Sequence, residues 1–455
     1  MARPITLFTG QWADLPLEEV ARLAASWGYD GLELACWGDH LDPWRWDDDE
    51  YVAGRLELLE RHGLKVWAIS NHLKGQAVCD DPIDQRHRDI VSDRVWGDGD
   101  PEGVRQRAAE EMKNTARLAA KLGVKTVVGF TGQWADLPLE EVASLASKWG
   151  YDGLELACWG DHLDPWRWDD DEYVAGRLEL LERHGLKVWA ISNHLKGQAV
   201  CDDPIDQRHR DIVSDRVWGD GDPEGVRQRA AEEMKNTARL AAKLGVKTVI
   251  GFTGSAIWKY VAMFPPVSDA AIEAGYQDFA DRWNPILDVF DEVGVKFAHE
   301  VHPSEIAYDY WTTVRTLEAI GHREAFGLNW DPSHMVWQDL DPVSFLWDFK
   351  DRIYHVDCKD TKKRMANGRN GRMGSHLPWA DPRRGWDFVS TGHGDVPWED
   401  AFRMLNSIGY DGPISVEWED AGMDRLVGAP EALGFVRSHA YDAPDSAFDA
   451  AFSTR

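Results

Sequence analysis

Tyr151-Asp152-Gly153-Leu154-Glu155-Leu156-Ala157-Cys158 repeats, letter for letter, the octapeptide Tyr29-Asp30-Gly31-Leu32-Glu33-Leu34-Ala35-Cys36. Each is a short apolar run opened by a glycine, which reads as a buried strand. The identity extends outward on both sides. Residues 11–130 recur at 133–252, and only Arg22/Ser144, Ala25/Ser147, Ser26/Lys148 and Val128/Ile250 differ. Three of these four differences fall within one helix. Drift would scatter them, so the clustering points to construction or tuning of that helix, or to a very recent duplication. Of the 455 residues, a stretch of 122 is a second copy, which leaves 333 of independent sequence.

Within a copy, strands and helices alternate. Strands are expected at Ile5–Phe8, Gly31–Cys36, Lys65–Ser70 and Lys125–Phe130, and helices near Leu17–Trp27, Tyr51–His62 and Pro101–Leu122. Gly63 and Gly123 stand just past apolar helical faces, where helices end. After the repeat the alternation continues through strands at Lys247–Phe252, Lys296–Val301, Gly327–Trp330, Tyr354–Asp357 and Ile414–Trp418. Counting both copies gives about eleven β/α units, and removing one copy gives eight, the number that closes a (β/α)8 barrel. An open doubly wound sheet would want a glycine-rich phosphate loop after its first strand, and none is present. The expected fold is therefore an α/β TIM barrel with three surplus duplicated units.

Residues 126–455 contain all eight units without a break. They are expected to form the barrel, with 1–125 as an extra half-barrel. Three other arrangements stay open: extrusion of the second copy, exchange of copies between chains, and an enlarged eleven-stranded ring. The last would widen the interior beyond what side chains fill.

Acidic residues outnumber Lys and Arg by 79 to 50, a formal net charge of −29. A polyanionic nucleic acid is bound through clustered basic groups, so nucleic acid is not an expected partner. Nor is a membrane: no apolar run approaches the length of a membrane helix, and the first residues lack a signal-peptide apolar region. None of the five cysteines forms a C-x-x-C pair. A reduced, cytoplasmic chain is expected.

The last four barrel strands carry the chemistry, because active groups in such a barrel lie at the C-terminal strand ends. In His299-Glu300-Val301-His302, a period of two puts Glu300 and His302 on one face. Asp331 ends Asn329-Trp330-Asp331. In His355-Val356-Asp357-Cys358-Lys359-Asp360, one face bears His355, Asp357 and Lys359, and in Ser415-Val416-Glu417-Trp418-Glu419 it bears Glu417 and Glu419. Four neighbouring strands delivering anions to one rim would repel unless a cation lies among them. Oxygen ligands with room for substrate suit Mg2+, Mn2+ or a similar ion.

These pieces, in this order, resemble the sugar phosphate isomerase/epimerase family with the xylose-isomerase-like barrel. The matching segments are His299–Pro303, Asp331–His334, His355–Asp360, Gly392–Trp398 and Ser415–Asp420, with Tyr29–Leu34, Ser70–Leu73 and their images upstream. The resemblance covers essentially the whole unrepeated unit. It implies metal ligands at Glu300, Asp331 and Glu417, with one divalent ion (Mn2+, Mg2+ or Co2+) as cofactor. The fourth family ligand is a histidine, and its place here holds Asp357. An aspartate can ligate a hard ion, and His355 is the fallback.

The resemblance implies the following chemistry. A divalent ion polarises a sugar carbonyl and its neighbouring hydroxyl and stabilises the enediolate, while Glu300 and Glu417 remove and return the proton. His302, His334 and Lys359 would hold hydroxyl groups or the developing oxyanion. From the earlier strands, Glu33, Trp37 and His72, or their images Glu155, Trp159 and His194, would bind the sugar, and the second copy is the expected supplier. The basic segment Thr361–Val396, with Lys362, Lys363, Arg364, Arg369, Arg372, Arg383 and Arg384, would cover the site and attract an anionic sugar, or contact a partner subunit. His393 would return toward the metal. A lyase or hydratase acting on a keto-sugar is the second enzyme reading, and a duplicated scaffold with little activity the third. Related endonucleases acting at abasic sites need a basic face and more histidines. Dimers and tetramers both suit the family, so a homo-oligomer stays open.

Overall fold

The computed structural model describes residues 6–29, 31–71, 74, 77, 83–88, 90–121, 127–261, 264–364 and 369–440. Two compact units divide the chain. The first is drawn mainly from the residues before Val127, and the second from Val127–Ala146 and Gly153–His439.

In the first unit, β1 (Thr6–Phe8), β2 (Gly31–Ala35) and β3 (Lys65–Ser70) form a three-stranded parallel sheet in the order β1-β2-β3. The helix Leu17–Trp27 buries Leu17, Val20, Ala21 and Ala24, the i, i+3, i+4, i+7 stripe of a helix with one apolar face. Its end is fixed by Gly28, whose φ of 84° is a left-handed cap that costs glycine nothing. Leu32 and Leu34 of β2 and Leu59 of the next helix complete this core.

The second unit is a closed parallel barrel of eight strands. They are β4 (Val127–Phe130), β5 (Gly153–Ala157), β6 (Lys187–Ser192), β7 (Thr248–Gly251), β8 (Lys296–Glu300), β9 (Phe326–Trp330), β10 (Ile353–Asp357) and β13 (Ile414–Val416). The ring closes where β13 pairs with β4, Ile414 opposite Val127 and Ser415 opposite Val128. The strand taken from the end of the first copy thus opens the barrel, and β5 and β6 come from the second. Eight described strands close the ring, so the enlarged eleven-stranded ring is not what this chain forms.

Large apolar side chains fill the space between strands and helices. Trp283, on the helix Asp269–Val293, packs 4.5 Å from Phe297 of β8, and Phe279 and Phe326 are buried in the same layer. Backbones approach closely at Gly197, where a Cβ would collide with the carbonyl oxygen of Phe252. The basic segment Thr361–Val396 contributes most of an antiparallel pair, β11 (Asp360–Lys363) and β12 (Trp386–Val389), outside the barrel. Alternation of side chains in so short and polar a run is a weak strand signal. Among the described residues, no helix is long and apolar enough to cross a membrane.

Candidate active site

Glu300 ends β8, Asp331 follows β9, Asp357 ends β10 and Glu417 follows β13, so four strands deliver carboxylates to one end of the barrel. All four are buried. Ligand oxygens of Glu300, Asp357 and Glu417 lie within 4.8 Å of one another. Asp331 lies beside this triad: its Oδ2 is 3.1 Å from His334 Nε2 and 3.7 Å from Lys359 Nζ.

The four carboxylates are held differently. Glu300 is flanked by two imidazoles, His194 Nε2 at 2.8 Å and His334 Nε2 at 3.2 Å. Burial alone would raise its pKa, but these two partners outweigh burial and hold it well below the usual carboxylate range. Glu417 accepts from Lys359 Nζ at 3.1 Å and from Gln133 Nε2 at 3.3 Å. There burial dominates and, with Glu300 and Asp357 nearby, lifts the carboxyl well above its normal value although Lys359 opposes it. Asp357 accepts from Asn329 Nδ2 at 2.6 Å, and burial with the Glu155 charge pushes it up to about 6. Asp331 caps the helix Pro332–Val336 by accepting from the Ser333 N–H at 2.8 Å.

Lys359 is buried and touches Glu417, Glu419 and Asp331 at 3.1, 3.4 and 3.7 Å. These anions overcome burial and keep its ammonium charged. Its Nζ also lies 4.6 Å from the centre of the Phe388 ring, which packs against His334 at 5.4 Å. The His302 ring packs tilted against Phe252 at 4.7 Å and edge-on against His334 at 4.0 Å. Burial and the neighbouring His334 charge keep it neutral.

The residues expected from the second copy divide into two groups. His194 reaches Glu300, and Trp159 packs near it at 6.3 Å while donating its indole N–H to the Gly132 carbonyl. Glu155 is instead in the barrel interior. It accepts from Ser192 and from Ser415 Oγ at 2.7 Å, and pairs with His355 Nε2 at 2.8 Å. That pairing offsets burial and pushes the His355 imidazole up to about 10. The same Nε2 also lies 3.5 Å from Asp357 Oδ1. Of the first-copy alternatives, Glu33 and Trp37 are partly buried, and His72 lies outside the described residues.

Several participants carried no signal in the sequence. Phe388 arrives on the hairpin strand β12. Gln133 stands where the repeat begins. Asn329 was readable only as the residue one face-period before Asp331. The Gly392–Trp398 motif has a structural explanation: Asp360 accepts from the N–H groups of Gly392, Gly394 and Val396 and from the Trp398 indole at 2.8–3.3 Å. His393 itself is exposed and paired with Glu431 at 3.1 Å. The basic residues of the segment are neutralised locally, Lys362 by Asp395, Lys363 and Arg372 by Asp339, and Arg383 by Asp381. Arg384 packs over Trp379 and Trp386.

Comparison with known proteins agrees with the fold. A family model described as xylose isomerase-like TIM barrel matches residues 21–145 and 143–439. An uncharacterised protein of Bacillus subtilis (strain 168), YfiH, is 27% identical over 323 residues, 66% of this chain and 93% of that protein. The inosose dehydratase of Clostridium perfringens is 24% identical over 147 residues, 32% of this chain and 48% of the enzyme. Among solved structures, the 3-keto-D-glucoside 4-epimerase YcjR from E. coli aligns with a TM-score of 0.50 at 14% identity, covering 69% of this chain and 99% of that one.

Proposed function

Because the chain belongs to the xylose isomerase-like TIM-barrel family, we propose that it is a divalent-metal-dependent isomerase or epimerase of a sugar or keto-sugar. It would act by removing a proton next to a carbonyl. The observation that carries this reading is the buried triad of Glu300, Asp357 and Glu417. Asp331 Oδ2, Asp357 Oδ1 and Glu417 Oε2 accept no hydrogen bond. An unsatisfied buried charge is costly, and a cation would satisfy all three. Glu300, Asp331, Asp357 and Glu417 would hold Mn2+, Mg2+ or Co2+. Bound there, the ion would supply Lewis-acid polarisation of the substrate carbonyl.

The chain's own residues do the rest. Glu300, ionised between two imidazoles, and Glu417 remove and return the proton. Return to the opposite face gives epimerisation, and return to the adjacent carbon gives aldose–ketose isomerisation. Lys359 and His334 donate to the oxygen that gains charge, and His302 to a neighbouring hydroxyl. Trp159 offers a ring to sugar C–H groups. His194 fixes Glu300, and Glu155 with His355 fixes Asp357 from the interior, a positioning role in place of the substrate contact expected from the sequence. Residues 126–455 are the working barrel in this reading, and 1–125 a surplus half-barrel. A cytoplasmic setting agrees with Cys36, Cys158, Cys201 and Cys358, which are free and buried.

One observation favours a second reading. The similarity to an inosose dehydratase, partial as it is, suits a lyase in which the same proton removal expels a β-hydroxyl. Deuterium exchange tests both at once. Ketoses and keto-sugars incubated in D2O with the Mn2+-loaded chain are followed by NMR. Exchange next to the carbonyl, lost in Glu417→Gln, is the expected result. Exchange that survives in Glu417→Gln, or none with any keto-sugar, would remove the two-carboxylate reading.

A further inference from the structure

Three buried carboxylates of the site share one arrangement. Asp331 commits Oδ1 to the Ser333 N–H, Asp357 commits Oδ2 to Asn329, and Glu417 commits Oε1 to Lys359 and Gln133. In each, the second oxygen accepts no hydrogen bond. The donors orient each group and leave one oxygen without a hydrogen bond. Outer partners of this kind are what fix a metal's ligands.

The nitrogen donors nearby are used differently. His194 and His334 direct Nε2 at Glu300, His334 Nε2 also lying 3.1 Å from Asp331 Oδ2, and His355 directs Nε2 at Glu155 with Asp357 Oδ1 farther off at 3.5 Å. Two triads containing nitrogen do exist, Glu300 with His302 and His334 and Glu155 with His355 and Asp357, and each shares one residue with the carboxylate triad. In the second, His355 Nε2 is taken by Glu155 at 2.8 Å. The carboxylate triad and the nitrogen-bearing triads present different chemistries. Carboxylate oxygens suit hard ions such as Mg2+ and Mn2+, whereas imidazole raises affinity for Zn2+ and its neighbours.

We propose that the oxygen-only set selects a hard divalent cation, Mg2+ or Mn2+, over Zn2+, and that Asp357 is the residue that sets this choice. The inference rests on the metal-dependent reading above and adds the identity of the ion. Zn2+ binds most sites more tightly than Mn2+, so the selectivity appears as a narrowed ratio between the two. Asn329 is its positioning residue, because its amide engages Oδ2 of Asp357 and leaves Oδ1 without a hydrogen bond.

The test uses the full chain, stripped of metal and equilibrated separately with Mg2+, Mn2+ and Zn2+. Bound ion is counted by mass spectrometry and affinity read by indicator competition. Asp357→His is expected to raise the Zn2+ to Mn2+ affinity ratio at least tenfold. Asn329→Ala is expected to weaken Mn2+ about 10- to 100-fold with the ratio unchanged. His302→Ala is expected to leave Mn2+ uptake intact. Circular dichroism confirms that each variant is folded, and Asp357→Asn, which should lose Mn2+ without gaining Zn2+, replaces Asp357→His if that variant fails. An unchanged ratio in Asp357→His overturns the proposal while leaving the metal-dependent reading standing. Loss of Mn2+ in His302→Ala overturns it by moving the ion to the triad of Glu300, His302 and His334. Failure of all three ions to bind the wild-type chain overturns the metal-dependent reading itself.

Discussion

The same octapeptide stands at 29–36 and 151–158, and its glutamate meets two different surroundings. In the three-stranded sheet, Glu33 of β2 is half-buried; in the barrel, Glu155 of β5 is buried against Ser192, Ser415 and His355. Contacts within the copies, and to the threonine two residues before each, are nearly the same in length. Trp44 donates to Glu111 and Trp166 to Glu233, both at 2.7 Å. His40 bonds Thr9 and the Leu15 carbonyl at 2.9 and 3.1 Å, and His162 bonds Thr131 and Leu137 at 3.0 and 3.1 Å. Local bonds are therefore written in the repeat. The role of Glu155 is written in His355 and Ser415, residues the repeat does not contain.

Paired substitutions can break or sharpen this contrast. The largest effect is expected from Glu155→Gln, which leaves the His355 imidazolium in the barrel without its closest counter-ion. Loss of one partner of a buried pair costs about 3–5 kcal/mol, with Asp357 at 3.5 Å keeping the loss toward the lower end. Glu33→Gln, half-buried and with no such partner among the described residues, should cost under about 0.5 kcal/mol. Urea unfolding of the two variants measures the gap, and equal costs would erase the distinction between the copies.

Trp44→Phe and Trp166→Phe each remove an indole donor from a buried carboxylate, worth about 1.5–3 kcal/mol. Here the copies should agree. A difference above roughly 1 kcal/mol, outside the usual spread for such bonds, would show that the internal contacts are not equivalent.

A pH effect tests the unrepeated half. Glu305 is fully buried and accepts from Thr253 and Gly254 N–H groups at 2.8 and 2.7 Å. Burial, helped by Asp202, pushes its carboxyl up to about 8 from a model-compound value of 4.5. The folded protein keeps this proton to about pH 8, while the unfolded chain releases it near 4.5. Its contribution is complete below pH 4.5 and drains away as pH rises toward 8. Between pH 6 and 8 the wild-type chain should lose on the order of 2 kcal/mol relative to Glu305→Gln, measured by urea unfolding at both pH values. Parallel pH dependence in the two proteins would mean Glu305 is ionised throughout.

The smallest effect is expected from Arg22→Ser, which makes the first copy match Ser144. The Arg22–Glu19 pair is more than 40% exposed on both sides, and such pairs contribute about 0–1 kcal/mol. A change in melting temperature beyond a degree or two would give the helix differences between the copies a structural weight they lack here.

The barrel was legible because its strands are short apolar runs between helices, and the expected boundaries at Lys296, Trp330, Asp357 and Ile414 match the structure to within a residue or two. The carboxylates were legible for the same reason, since a strand's C-terminal end fixes which way its last residue faces. The hairpin was not, because β11 reads Asp-Thr-Lys-Lys and pairs outside the core. Glu155 was placed at the rim because β5 alone does not reveal how deep its middle residue lies. Depth follows from the register with β6, where Glu155 pairs opposite Ala190 across an irregularity. Phe388 was passed over for a simpler reason: β12 has only four residues, too few for the alternation of Trp386 and Phe388 to stand out.

Diffraction from a crystal equilibrated with Mn2+, recorded at the manganese absorption edge, tests the central claim most directly. The account predicts an anomalous peak among Glu300, Asp331, Asp357 and Glu417, absent when the crystal is grown from Glu417→Gln. No peak in the wild-type barrel, or a peak seated on His302 and His334 that survives Glu417→Gln, would contradict it.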